Sequence, residues 1–373
     1  MTLLKVRRHP AGASLPFPGY IDMSEIGTGH FASVYRATEL STGRQVALKV
    51  LRLSGPGMAE TFEKEVNALA LLGSHPHVTT LFGTFSSPDG RPVLVLELCR
   101  GTVADQGLQR GAIGPAEVVQ LGVKVGGALG TAHRWGLLHR AVRPEKLLVS
   151  QFGEPVLGDF GLAALRGATH LDNLHVAPEE LEGLPASPAT DVYGLASSMY
   201  QLIVGRSPFA AYEGEAPVSA ILRLLRDPAP RLPAGPVPVD LADLLEAALA
   251  KDPRDRPPSA DAFAEALRAI EARAGWPQTP YIVWGGRGGT ALAAAPEAAP
   301  AADALGTLPT TRSAAALARS LVAALDPPDP WRPTAAVDLP PPPSPGAPSP
   351  PGTRAVIAPP VPVRNVVVPV PFN

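Results

Sequence analysis

The sequence predicts an α+β fold in two lobes, a small strand-rich lobe over about residues 20–98 and a larger helical lobe over about residues 99–274. Three patterns predict it. Runs of β-branched and aliphatic residues cluster before residue 100. Apolar residues recur at helical spacing beyond it. After residue 275, proline and alanine displace the large side chains that a core requires.

Residues 1–19 read as an N-terminal extension ahead of the first lobe. VALKVLRL (Val46 to Leu53) and RPVLVLELC (Arg91 to Cys99) are strand-like, because close-spaced Val and Leu suit a pleated, buried surface. Gly114 to Gly136 and Val239 to Asp252 repeat apolar residues at helical spacing and predict amphipathic helices. Residues 275–373 read as a Pro/Ala-rich disordered tail, and Val337 to Gly352 favours polyproline II geometry. Within it, Thr311 to Leu325 predicts a short helix, with Leu317, Leu321, Val322 and Leu325 on one face and Thr310 or Thr311 as the cap.

Composition removes several function classes. A net charge of -2 gives no electrostatic ground for nucleic acid or an anionic membrane as partner. An uninterrupted apolar stretch of about 18 residues, which a membrane-spanning helix needs, is missing. The opening MTLLKVRRHPAG lacks the apolar segment of a signal peptide. The single cysteine, Cys99, excludes an internal disulfide or a multi-thiolate metal site, and the expected location is cytoplasmic.

The chemistry-bearing residues begin at Ile26-Gly27-Thr28-Gly29-His30-Phe31-Ala32-Ser33-Val34-Tyr35, where two glycines allow backbone amides to approach phosphates. A turn in an ordinary hairpin explains those glycines equally well. Val46-Ala47-Leu48-Lys49 then resembles the third-strand lysine motif of protein kinases, and Phe62 to Val78 resembles the kinase C helix, with Glu65 placed to pair with Lys49. His139 to Lys146 stands where the catalytic loop H-R-D-x-x-x-x-N would be. Asp159-Phe160-Gly161, Ala177-Pro178-Glu179, Asp191 to Leu195 and Arg256 follow in the family's order. On these motifs the chain resembles the Hanks-type serine/threonine protein kinases of actinobacterial type, and the protein-kinase-like fold is the implied architecture.

The resemblance implies roles residue by residue. Ile26, Gly27 and Gly29 would cover the ATP phosphates. Val34, Ala47 and Leu148 would clasp the adenine. Glu97 and Cys99 lie in the segment joining the lobes, and Lys49, Glu65 and Asp159 would complete the nucleotide site, with Asp159 the candidate magnesium ligand. Cys99 reads as a packing residue rather than a reactive thiol. Leu69, Leu81, His139 and Phe160 would form a spine anchored by Asp191, a set that plain hydrophobic packing also explains. Arg256 would pair with Glu179.

The departures fall where transfer chemistry is done. The catalytic-loop aspartate, which accepts or orients the substrate proton, is Ala141, and the metal-binding asparagine is Lys146; Arg143 lies between them. A methyl group accepts no proton, and an ammonium repels the metal that asparagine would hold. Losing a general base typically costs roughly 10²–10⁴ in rate. Asp172 replaces the usual threonine before Ala177-Pro178-Glu179, and Thr169 is the sole hydroxyl-bearing residue in the short segment between Gly161 and Ala177.

The expected function is that of a pseudokinase that binds ATP, with magnesium use weak or absent, and serves as a regulatory or scaffolding module. Its expected partner is a protein such as another kinase or a signalling protein. The alternative is a weakly active or unconventional serine/threonine kinase, in which Asp172 substitutes for the missing base. A vestigial spacer domain is a third reading. Thr279, Thr310 and Thr311 are expected to lie in exposed, flexible sequence open to phosphorylation.

Overall fold

A computed structural model describes residues 17–29, 32–52, 58–110, 113–160, 174–233, 235 and 237–285. The small lobe is a five-stranded antiparallel sheet in the order β1-β2-β3-β5-β4, with β1 at Tyr20–Thr28, β2 at Ala32–Glu39, β3 at Gln45–Leu51, β4 at Leu81–Ser86 and β5 at Pro92–Glu97. Between β3 and β4 runs α1, Met58–Leu72.

Strand alternation splits β3 between two environments. Val46, Leu48 and Val50 pack with Ala37, Val93 and Val95 on the outer face of the sheet, and Phe17 covers that cluster. Ala47 and Lys49 point to the opposite face, toward α1 and the cleft between the lobes. Phe17 is buried and meets the rings of Tyr35 and Phe85 edge-on at 6.3 and 5.8 Å. Phe17, which the sequence reading places in the extension before residue 20, thus packs on the small-lobe sheet.

The large lobe is built on α2 (Val103–Arg110), α3 (Pro115–Arg134), α4 (Pro178–Leu181), α5 (Pro188–Val204), α6 (Pro217–Arg226), α7 (Val239–Ala248) and α8 (Ala260–Ala274). The two-stranded ladder of β6 (Leu147–Val149) and β7 (Pro155–Leu157) lies beneath the cleft. Proline at the first turn of α3 and α5 suits positions where no amide partner exists. Ser259 caps α8 by accepting from Ala262 N at 3.1 Å, and Gly275 ends it in the left-handed region. On α3, Gly126 lets α8 approach until a Cβ there would stand 3.0 Å from Ala264 Cβ.

Two expectations about the chain beyond α8 are corrected. Residues 276–285 are an ordered, irregular strap packed on the large lobe, not the start of a tail without fixed contacts. Thr279 is 1% exposed, and both its N–H and its hydroxyl donate to the buried Glu271 carboxylate, so it is no open phosphorylation site. Thr310, Thr311, the helix expected over 311–325 and the proline-rich 337–352 lie outside the described residues. Among the described residues, no helix is long and apolar enough to cross a membrane.

Candidate functional site

The cleft between the lobes encloses a cavity of about 330 Å³ and gathers residues from elements far apart in sequence. Ile26 and Gly27 end β1, Val34 comes from β2, and Ala47 and Lys49 from β3. Glu65 comes from α1, Glu97 and Cys99 from the join between lobes, Leu148 from β6, and Lys146 and Asp159 from either side of the β6–β7 ladder. Apolar side chains and charged groups thus share the lining of one cavity.

The charged groups form a continuous chain. Lys49 Nζ donates to Glu65 Oε1 at 2.7 Å and to Asp159 Oδ1 at 2.8 Å, while Lys146 Nζ donates to the other oxygen of the same carboxylate, Asp159 Oδ2. Both oxygens of Asp159 are thus engaged by ammonium groups. Burial opposes the charge of Asp159, but Lys146 and Lys49 outweigh it and hold the carboxyl well below the usual aspartate range. Burial likewise works against the charge of Lys49, and Asp159 and Glu65 more than offset it, so its pKa lies above the ordinary lysine value. Burial pushes Glu65 up, and its Oε2 has no hydrogen-bond partner among the described residues.

Local backbone geometry delivers these groups. Asp159 has φ of 65° and Arg140 has φ of 58°, left-handed values that cost a non-glycine residue about 1–3 kcal/mol unless the surroundings fix them. At Asp159 the two lysines do so. At Arg140 the anchor is Asp191 on α5, whose carboxylate accepts the amides of His139 at 2.8 Å and Arg140 at 2.6 Å. His139 then donates from Nε2 to Gly158 O at 2.9 Å and accepts the Ala141 amide at Nδ1, which fixes one neutral tautomer. Burial lowers its pKa, consistent with that neutral form. Its ring meets Phe160 edge-on at 4.7 Å, and Leu69, His139 and Phe160 are all buried.

Behind the cleft, Arg256 forms a buried fork with Glu179, its two terminal nitrogens each 2.8 Å from a carboxylate oxygen. Thr190 at the start of α5 donates to the same carboxylate at 2.8 Å. This pair ties the start of α4 to the turn before α8. His175 donates or accepts between Ser197 at 2.8 Å and Gln201 at 2.9 Å, and burial lowers its pKa to about 4.

Of the residues singled out by sequence, Gly29, Ala141 and Arg143 do not line the cavity. Gly29 turns away to pair its amide with Ala32 O at 2.8 Å. Ala141 is buried, and Arg143 Nε stands 3.5 Å from Glu145 Oε2. Cys99 does line the cavity, with burial pushing its thiol up to about 12, the behaviour of a packing residue. Asp172 and Thr169 lie outside the described residues. Sequence reasoning missed Thr79, Leu96, Thr102 and Asp105, which line the cavity because β5, α2 and the segments beside β4 and α2 converge there. It also missed Arg52, which reaches back from the end of β3 to Ser33 Oγ at 2.6 Å and Gly29 O at 3.3 Å, bracing the base of the β1–β2 turn.

Residues 20–267 match the protein kinase domain family. The chain is 35% identical over 272 residues to the serine/threonine-protein kinase PknK of Mycobacterium tuberculosis, a match covering 70% of this chain and 24% of that protein. It is 32% identical over 263 residues to PknA, covering 66% of this chain and 60% of the relative. It is also 32% identical over 286 residues to PknL, covering 73% and 70%; both are serine/threonine-protein kinases of the same organism. The chain thus spans about a quarter of the length of PknK.

Proposed function

Because this chain belongs to the protein kinase family, whose members generally bind ATP and magnesium, we propose that it is a pseudokinase. It takes a nucleoside triphosphate into the cleft without needing a metal ion, and it acts as a regulatory or scaffolding module for a protein partner. The carrying observation is the ion pair between Lys146 and Asp159, with Lys49 on the second oxygen of the same carboxylate.

ATP suits the residues present. Val34, Ala47 and Leu148 would hold the base, and Gly27, Lys49 and Lys146 would face the phosphates. Magnesium does not suit them. The aspartate that would ligate it is already neutralised on both oxygens, and the second ligand position carries an ammonium. Two unit charges 4 Å apart interact by roughly 4 kcal/mol at an effective dielectric of 20, and a divalent ion doubles that repulsion from each lysine. Against the family pattern, alanine for aspartate changes the charge from −1 to 0, and lysine for asparagine changes it from 0 to +1. The net change is +2, equal in size to the charge of one magnesium ion, although only the +1 of Lys146 is a charge the chain adds.

Transfer chemistry lacks its proton acceptor. Ala141 presents a methyl group at the position of the general base, and it is buried away from the cavity. A transfer assay with radiolabelled ATP and generic protein substrates tests this. The wild-type chain should label no substrate above a Lys49→Met control, and Ala141→Asp combined with Lys146→Asn should raise labelling above that background. Wild-type turnover in the ordinary kinase range of about 1–100 s⁻¹, abolished by Lys49→Met, would overturn the proposal in favour of an active serine/threonine kinase.

A further inference from the structure

The strap at residues 276–285 reaches further than the end of a domain needs to. It leaves the Gly275 cap with Trp276 N donating to Glu271 O at 2.9 Å, and the Tyr281 hydroxyl then donates to Asp261 on α8. Beyond that point it crosses α3. Trp284 N donates to Thr131 Oγ1 at 3.0 Å, and the Ile282 carbonyl lies so close to Gly127 that a Cβ there would stand 2.4 Å from its oxygen. Only glycine at position 127 admits the strap in this path.

The same carbonyl faces the small lobe. His75, in the connection between α1 and β4, donates from Nε2 to Ile282 O at 3.0 Å, and its ring meets Trp284 edge-on at 5.7 Å. The His75 amide in turn bonds Leu72 O, the last residue of α1, at 2.8 Å, and His75 Nδ1 accepts the His77 amide at 3.1 Å. Glu65 lies on α1 two turns before Leu72. An unbroken hydrogen-bonded route thus runs from α8 and α3, through the strap and His75, to the helix that carries the partner of Lys49.

We propose that residues 276–285 are a clamp that positions Glu65, acting through His75 on the end of α1, so that strap docking and nucleotide binding are thermodynamically linked. The link to nucleotide rests on the function proposed above; the clamp on α1 does not. The strap's bond to His75 holds the C-terminal end of α1, so less ordering of that helix remains when ligand binds. Linkage is reciprocal: whatever the docked strap adds to nucleotide affinity, nucleotide adds to strap docking. His75, Thr131 and Trp284 are positioning residues in this scheme, since none of them lines the cavity.

The test uses the full chain with two variants, one at the buried Thr131, whose hydroxyl also donates to Gly127 O at 2.9 Å, and one at the half-exposed Trp284 that leaves the core untouched. Thr131→Val is isosteric and removes the acceptor of the Trp284 amide, and Trp284→Ala removes a ring that is 41% exposed. Hydrogen exchange across α1 is measured without ligand, and ATP affinity is measured in the wild-type and Glu65→Gln backgrounds. Both variants should speed exchange over Met58–Leu72 at least about 5-fold and weaken ATP about 5-fold, the lower end of usual coupling. The affinity effect should vanish in the Glu65→Gln background, which a merely structural weakening would not produce. Unchanged exchange in α1 for both variants overturns the clamp, as does an affinity loss that persists without Glu65. If the wild-type chain binds no ATP, the function proposed above fails, and exchange in α1 alone decides the clamp.

Discussion

Lys146→Asn should convert a metal-indifferent nucleotide site into a metal-dependent one. In the wild-type chain, Asp159 Oδ1 is held by Lys49 at 2.8 Å and Oδ2 by Lys146, and these side chains are only about one fifth exposed or less. Replacing the ammonium with a neutral amide frees one carboxylate oxygen and supplies a second oxygen ligand in its place. It also removes a repulsion worth roughly 8 kcal/mol toward a divalent ion 4 Å away at an effective dielectric of 20, an upper bound that solvent reduces. Even a fifth of that figure exceeds the ~1.4 kcal/mol that makes a tenfold change in affinity. Calorimetric titration with ATP in excess chelator and in excess magnesium reads the outcome. Wild-type affinity should differ less than about 2-fold between the two conditions, and Lys146→Asn should bind at least about 10-fold tighter with magnesium. A wild-type chain that binds ATP only when magnesium is present would refute the reasoning, because the ion would then be displacing Lys146 from Asp159.

Three further outcomes follow from the packing. His175 has its pKa lowered to about 4 by burial, so the unfolded chain, near 6.5, takes up a proton first; stability is full above about pH 6.5 and falls as pH drops toward 4. Urea unfolding at pH 7 and pH 4.5 should show about 2–3 kcal/mol less acid loss in His175→Gln than in wild type, and equal losses would exclude this source. Arg256→Met leaves Glu179 buried and unpaired and should cost about 3–5 kcal/mol, read as a lower melting temperature. Phe17→Ala should cost about 3–5 kcal/mol in the same assay, whereas a solvent-exposed extension would lose about 0.5 kcal/mol or less.

The sequence by itself determined the two-lobed order of elements, since strand alternation and helical periodicity are local signals, and it located the kinase motifs, since each is a short run with characteristic chemistry. It also showed that position 141 holds a methyl and position 146 an ammonium, because a missing functional group needs no coordinates to be recognised. For Lys146 the sequence left two roles open, neutralising phosphate or pairing with Asp159; the ion pair seen across the β6–β7 ladder is a matter of tertiary structure, as is the left-handed backbone at Asp159. The same holds for the strap. Trp276 to Trp284 looks like the beginning of a low-core tail because its apolar residues follow no period, and an irregular segment bonds to whatever surface lies beside it. Phe17 was hidden for a related reason, since a single ring outside any repeat gives no local sign that a sheet face is waiting for it. Periodic burial can be seen along a chain, whereas contacts made by isolated side chains and by irregular backbone exist only once distant elements have met.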